Sequence, residues 1–264
     1  MIGWPKARTQ HASVETGVQE VHDVGHEDGQ AYSLVLVRHG ESEWNRDGRF
    51  TGWTDIDLTT EGERQAREAG RMLARVHRQF DLAYTSVLKR SIRTLWLMLE
   101  ELDQAWIPVA HDWRLNERHY GNLTGMHKAQ AIEIYGEQAV LQWRRSYHGR
   151  PPPISVNESD RRYRRLLPRE IPSAESLCDT ERRVGAFWID TLVPAIASGN
   201  QIMVCGHGNG LRALVKILDG LSETEVMRLD IPNGIPLVYQ FDADMRVANR
   251  FYVEEPVRRE SNIL

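Results

Sequence analysis

Hydrophobic positions first gather in an unbroken run, Ser33-Leu34-Val35-Leu36-Val37, which predicts a short strand buried on both faces. A polar loop follows, and then Thr60 and Glu63 form a capping-box pattern ahead of Ala66, Ala69, Leu73 and Val76. Their spacing of three and four predicts one helical face. The unit recurs: Phe80 to Tyr84 reads as a brief strand, Ile92, Leu95, Trp96, Leu99 and Leu102 as the stripe of the next helix, and Ile107 to Ala110 as a further strand. The stretch from about Trp113 to Ala174 departs from this rhythm. It holds two short helices, Lys128 to Tyr135 and Glu137 to Tyr147, then Pro151-Pro152-Pro153 and an arginine-rich run, and reads as an insertion over one end of the sheet. Beyond it, Leu177 to Leu192 predicts a helix, Ile202 to Cys205 a buried strand, Leu211 to Leu218 a helix, Ser222 and Glu225 a second capping box, and Leu237 to Phe241 a late strand. Strands alternating with helices predict an α/β fold with a mainly parallel sheet covered on both faces, in which ligands bind beyond the carboxyl ends of the strands.

Composition narrows the function. The chain has 264 residues, 41% of them hydrophobic, which is enough for one α/β domain or two small ones. No apolar run approaches the ~20 residues that cross a bilayer, and the mean hydropathy is −0.49, so no membrane partner is expected. A net charge of −4 argues against a nucleic-acid binder, which needs a broad basic face. Any basic patch must be local and aimed at a small anion. Two cysteines cannot staple the fold or build a thiolate zinc site, so a cytoplasmic protein is expected. Residues 1–31 lack periodicity and read as a flexible extension, too acidic at Glu15, Glu20, Asp23, Glu27 and Asp28 for a transit peptide. The catalytic domain is expected at 32–255, with the insertion at about 113–174, and a tail at 256–264.

Two motifs carry chemistry. Arg38-His39-Gly40-Glu41-Ser42-Glu43-Trp44-Asn45 follows the first strand, and Gly206-His207-Gly208-Asn209-Gly210 follows the strand ending at Cys205. Each sets a histidine at a strand's carboxyl end, so neighbouring strands would bring His39 and His207 into one pocket. Glycines beside each histidine would let a bulky oxyanion approach the backbone, and Arg38 adds a planar fork of donors. A neutral imidazole is a competent nucleophile toward phosphorus, and phosphoryl transfer asks the protein mainly for in-line positioning and charge compensation. Nearby arginines disfavour the imidazolium of His39 and stabilise the transferring oxygens. His207 would then be a cationic or hydrogen-bond-donating partner. Arg161, Arg162, Arg164 and Arg165 read as a solvated segment, Cys205 as core, and Cys178 as a helix residue without redox duty.

RHGESEWN, RFTGWTDIDLT, AYTSVLKRSIRTLW, LNERHYGNLTG, QWRRSY, HGNGLRALVK and IPNGIPLVY together resemble the histidine phosphatase superfamily and, within it, the cofactor-dependent phosphoglycerate mutases, from about Leu34 to Tyr252. The resemblance implies a three-layer α/β/α sandwich around a mostly parallel six-stranded sheet. It implies interconversion of 3-phosphoglycerate and 2-phosphoglycerate through a phosphohistidine primed by 2,3-bisphosphoglycerate, in glycolysis and gluconeogenesis, without a metal, in a homodimer or homotetramer. By position, His39 is the nucleophile; Arg38, Arg90 and His207 surround the phosphoryl group; Glu117 gives and takes the proton. The remaining substrate contacts implied are Gly40, Glu41, Ser42, Glu43, Trp44, Asn45, Thr51, Gly52, Arg118, His119, Tyr120, Lys128, Arg144, Arg145, Gly208 and Asn209. Lys128, Arg144 and Arg145 suit a ligand with two phosphates and a carboxylate.

Two departures bear on activity. The chain between Arg145 and Glu175 is several residues shorter than in many members, which implies easier entry of water and a larger hydrolytic share. Gly210 stands where the family usually carries serine. The rivals are a bisphosphoglycerate synthase and phosphatase, whose type replaces Ser42 with glycine, a general phosphomonoesterase, and a non-catalytic phospho-ligand sensor. The joint presence of His39, Glu117 and His207 speaks against the last.

Overall fold

A computed structural model describes residues 32–76, 78–155 and 160–253; the expected extension and tail lie outside the described residues. A sheet of six strands has the order β3-β2-β4-β1-β5-β6: β1 (Tyr32–Arg38), β2 (Leu82–Thr85), β3 (Val109–His111), β4 (Ile202–Gly206), β5 (Leu237–Phe241) and β6 (Val247–Tyr252). β1 with β4, β2 with β4 and β2 with β3 are parallel, whereas β1 with β5 and β5 with β6 are antiparallel. The sixth strand is not visible in the hydrophobic pattern, because its middle four residues are exposed.

The sandwich follows from the pleat of β1. Leu34 and Leu36 enter one core with Ile202, Val204, Val184, Phe187, Leu211 and Leu214. Val35 and Val37 point the other way, into a core with Met203, Cys205, Leu73, Leu95 and Leu99. Alternate side chains of one strand therefore feed two layers of helices. The second layer is α2 (Thr60–Arg75) and α3 (Lys89–Glu101); the first is α6 (Leu177–Phe187) and α8 (Gly208–Asp219). The α6 helix continues through a π turn at Trp188–Leu192 into α7 (Val193–Ala197), so the predicted helix runs five residues further.

Two helix readings need correction, the cap of α2 and the stripe of α3. Thr59, not Thr60, caps α2, its side chain accepting from the Gly62 amide, because the cap lies one residue outside the first helical turn. Val76 is the C-cap and is exposed. In α3 the buried face is Arg90, Ser91, Thr94, Leu95, Met98 and Leu99, and Trp96 is 60% exposed. Of its polar members Arg90 lines the site, Ser91 donates to the Cys205 carbonyl and Thr94 accepts from the Gly40 amide, so the helix turns a partly polar face inward. Ser222 caps α9 (Glu223–Arg228) with Glu225, as expected.

The insertion holds α4 (Lys128–Tyr135) and α5 (Glu137–Arg145), packed on a small core of Phe50, Leu123, Ala131 and Val140. This places the insertion beside the loop after β1, which includes α1 (Glu43–Arg46), at the carboxyl edge of the sheet. Arg161, Arg164 and Arg165 are exposed. Arg162 is exposed as well, and its side chain bridges Asp55 and Asp160 at 3.0 and 2.6 Å, beside a buried Tyr163. Both cysteines are free, Cys205 in the core. Among the described residues, no helix is long and apolar enough to cross a membrane.

Candidate active site

β1 and β4 lie side by side in register, with Arg38 opposite Gly206, and the His39 amide donates to the Gly206 carbonyl at 3.0 Å. The ladder thus runs one residue past the strand end and brings the two histidines together. Their ring centroids are 4.9 Å apart in an edge arrangement. His39 Nδ1 lies 2.6 Å from the Gly40 carbonyl oxygen. A carbonyl only accepts, so Nδ1 carries the proton and Nε2 keeps its lone pair. Burial, then Arg90 and Arg38, hold the pKa of His39 well below the ordinary imidazole value. The ring is neutral and nucleophilic at neutrality.

His207 is the N-cap residue of the twelve-residue α8. It is fully buried, and burial followed by Arg90 and His39 also holds its pKa well down. In the ligand-free site two imidazoles and an arginine share one desolvated space, which favours neutral rings and the hydrogen-bonding role of His207. Its Nε2 meets Ser86 Oγ at 2.7 Å, while Nδ1 has no protein partner.

Arg90, 1% exposed, is gripped by the carbonyls of Thr54 and Gly52, each at 2.8 Å, and burial pushes its pKa down to about 10. Arg38 is held by the Ile231 carbonyl at 2.8 Å, with its Nε unpartnered. Glu117, on the loop after β3, accepts at Oε1 from the amides of Arg118 (2.7 Å) and Asn209 (3.2 Å) and from Asn209 Nδ2 (3.0 Å). Its own carbonyl is held by Trp53 Nε1 and Arg183 Nη2.

The pocket is lined by twelve of the expected residues: Arg38, His39, Asn45, Thr51, Arg90, Glu117, Tyr120, Lys128, Arg144, Arg145, Gly208 and Asn209. Lys128 has a lowered pKa, from burial first and then from Arg144, Arg38 and Arg145. The cations therefore crowd one cavity. Several expected contacts do not line it. Ser42 is wholly buried and caps α1, its hydroxyl donating to Asn45 Oδ1 at 2.9 Å. Glu41 accepts from Thr59 Oγ1, Glu43 is exposed, and Trp44 packs near Gly125. Arg118 lays its guanidinium over the Tyr120 ring, and His119 accepts from the Gly121 amide. Gly52 contributes the carbonyl that holds Arg90. Gly52 and Ser42 act from behind the wall, through Arg90 and Asn45, which line it.

Gly40 corrects the glycine argument. A Cβ there would lie 2.1 Å from the Gly62 carbonyl oxygen, and one at Gly62 would lie 2.0 Å from that of Glu41. The glycine pair lets the loop after β1 press on the start of α2, and Gly40 does not line the pocket. Gly208, whose Cβ would sit 3.5 Å from the Arg38 guanidinium, is the glycine that lines the pocket.

Arg49, Phe50, Arg212, Asp230 and Ile231 also line the pocket and were not singled out from the sequence. Each except Asp230 stands inside a motif quoted above, which was the available signal.

The parallel sheet, the paired histidines at its carboxyl edge and the surrounding arginines define a phosphoryl-handling enzyme site. The chain belongs to the histidine phosphatase superfamily (branch 1), whose family model matches residues 34–253. Its fold is shared with the alpha-ribazole phosphatase from Shigella flexneri, at 24% identity and a TM-score of 0.63 over 81% of this chain and 95% of that one. It is shared equally with a mycobacterial glucosyl-3-phosphoglycerate phosphatase in complex with VO3, at 23% identity and a TM-score of 0.63 over 84% of this chain and 97% of that one.

Proposed function

We propose that this histidine phosphatase superfamily member is a phosphoglycerate mutase that interconverts 3-phosphoglycerate and 2-phosphoglycerate through phosphorylated His39. One observation carries the reading: Lys128, Arg144 and Arg145 face the same pocket as Arg38 and Arg90, and among the described residues none of the first three has a carboxylate partner. With Arg49 and Arg212, seven cations line the cavity against the carboxylates of Glu117 and Asp230, which suits a ligand anionic at both ends. Unpartnered buried polar atoms support the fit. Arg38 Nε, Thr51 Oγ1 and Arg212 Nε belong to lining residues, and His207 Nδ1 to the ring beside His39.

The residues present fit 2,3-bisphosphoglycerate, with one phosphate against Arg38, Arg90, His207 and Gly208 and the other phosphate and carboxylate against Lys128, Arg144 and Arg145. When bound, that cofactor supplies the phosphoryl group that primes His39. His39 Nε2 attacks phosphorus in line, the arginines spread the charge of the equatorial oxygens, and Glu117 hands a proton to the leaving oxygen. In the return direction Glu117 takes the proton of the attacking hydroxyl, and Asn45 and Tyr120 orient the three-carbon chain.

A second reading, hydrolysis of phosphomonoesters, is favoured by the solved relatives, both of which are phosphatases. The same residues serve it, with water as the final acceptor. One assay separates the two: formation of 2-phosphoglycerate from 3-phosphoglycerate, followed alongside inorganic phosphate, with and without 2,3-bisphosphoglycerate. Isomerisation that needs the cofactor and outpaces phosphate release supports the mutase. Phosphate release without isomerisation replaces it with the phosphatase.

A further inference from the structure

Arg212 lies on α8, one turn beyond the histidine motif, and points inward. It is 8% exposed and lines the pocket, with no carboxylate partner among the described residues. Nη1 donates to Asn209 Oδ1 at 3.2 Å, Nη2 donates to the Val226 carbonyl at 2.6 Å, and Nε is unpartnered. A guanidinium has only donors, so it selects the oxygen end of the Asn209 amide. The NH₂ end is thereby turned to Glu117 Oε1 at 3.0 Å and Tyr120 Oη at 3.1 Å. With the amides of Arg118 and Asn209 also donating to it, Oε1 accepts three hydrogen bonds and has no room for a proton of its own.

We infer that Arg212 is a positioning residue that acts through Asn209 to commit Oε1 of Glu117 to accepting, so that Oε2 is the oxygen that carries the transferable proton. The inference rests on the role of Glu117 in the proposed function and goes beyond it by assigning the oxygen and the residue that sets it. In the step concerned, the bond from His39 Nε2 to phosphorus forms as the ester P–O bond breaks. The bonding pair goes to the leaving oxygen, and the Oε2 proton moves to that oxygen. A free Asn209 amide, able to turn its oxygen to Glu117, would instead draw the proton onto Oε1 and away from the ester.

A comparison of leaving groups tests this. Nitrophenolate leaves without a proton near neutrality, whereas the alkoxide of 3-phosphoglycerate needs one. The full-length protein is assayed with 3-phosphoglycerate, counting isomerisation and phosphate release together, and with p-nitrophenyl phosphate, and the ratio of the two kcat/KM values is the readout. Glu117→Gln sets the scale. Arg212→Met is expected to lower the ratio about tenfold or more, within the range that general acid catalysis supplies. A general structural disturbance would lower both rates and leave the ratio. Should Arg212→Met fail to fold, Arg212→Lys keeps the charge but cannot bridge Asn209 and Val226, and carries the same expectation. Asn209→Leu should also lower the ratio, and the Arg212→Met/Asn209→Leu pair should lower it no further than Asn209→Leu alone, because both act along one path. A normal ratio in the Arg212 variants beside a depressed one in Glu117→Gln overturns the inference and leaves the role of Glu117 standing. A normal ratio in Glu117→Gln overturns both.

Discussion

His207 meets Ser86 with Nε2 and Oγ 2.7 Å apart, and Ser86 Oγ itself accepts from the Leu88 amide at 3.1 Å. When the serine hydroxyl donates to His207 Nε2, the neutral ring's own proton lies on Nδ1, the nitrogen without a protein partner. An unpartnered donor beside His39 is what a transferring phosphoryl oxygen requires. Ser86→Ala removes the group that sets this tautomer. Turnover should fall on the order of 10-fold to 100-fold, less than the 10²–10³ that follows outright deletion of an oxyanion donor. The nitrogen chemical shifts of His207 should show a mixture of tautomers, and an unchanged rate with an unchanged tautomer would refute the assignment.

Gly40 and Gly62 make a second relationship that can be probed. Their backbones approach so closely that a methyl group at either would overlap a carbonyl oxygen. Gly40→Ala should destabilise the protein by about 1–3 kcal/mol or more, through overpacking. For a domain of this size the midpoint of thermal unfolding should fall by at least about 3 °C. Activity should fall with it, since the displaced loop carries His39. A variant with wild-type melting and wild-type turnover would show that the close packing is dispensable.

The depressed pKa values of His39 and His207 fix the sign of a pH effect. In the unfolded chain both rings titrate near about 6.5, while in the folded protein they stay neutral to lower pH. As pH falls through about 6.5 the unfolded state takes up protons that the folded state refuses, so stability declines on acidification until the folded-state values are reached. Above that window the two rings contribute no pH dependence. Ring-proton NMR of the ligand-free protein should show neither histidine titrating near 6.5. A normal titration of His39 would remove the desolvated, arginine-flanked environment on which its reactivity depends.

Much of this was legible in the chain because burial and periodicity coincide. β5 and α4 occupy the segments the pattern predicts, since β5 is buried throughout and α4 is closed by Gly136 at φ 80. β6 escaped because an edge strand needs only backbone partners, and Val247–Tyr252 pairs through β5 with little burial. The two histidines could be placed at strand ends from local pattern, whereas their meeting depended on β1 and β4 being neighbours. Arg212 escaped for the opposite reason: inside a strongly apolar helix it reads as the polar face. Only the Val226 carbonyl and Asn209, brought together by the α8–α9 turn, show that it points inward. Ser42 differs for a local reason, because the serine that caps α1 stands in the same motif as residues that line the pocket.

The central claim is that His39 Nε2 accepts a phosphoryl group in this pocket. Its most direct measurement is mass-spectrometric and chemical analysis of the protein after brief exposure to labelled 2,3-bisphosphoglycerate. The account predicts an acid-labile, base-stable phosphate on His39, absent from His39→Ala and chased off by 3-phosphoglycerate. Label on another residue, or full turnover in His39→Ala, would contradict it.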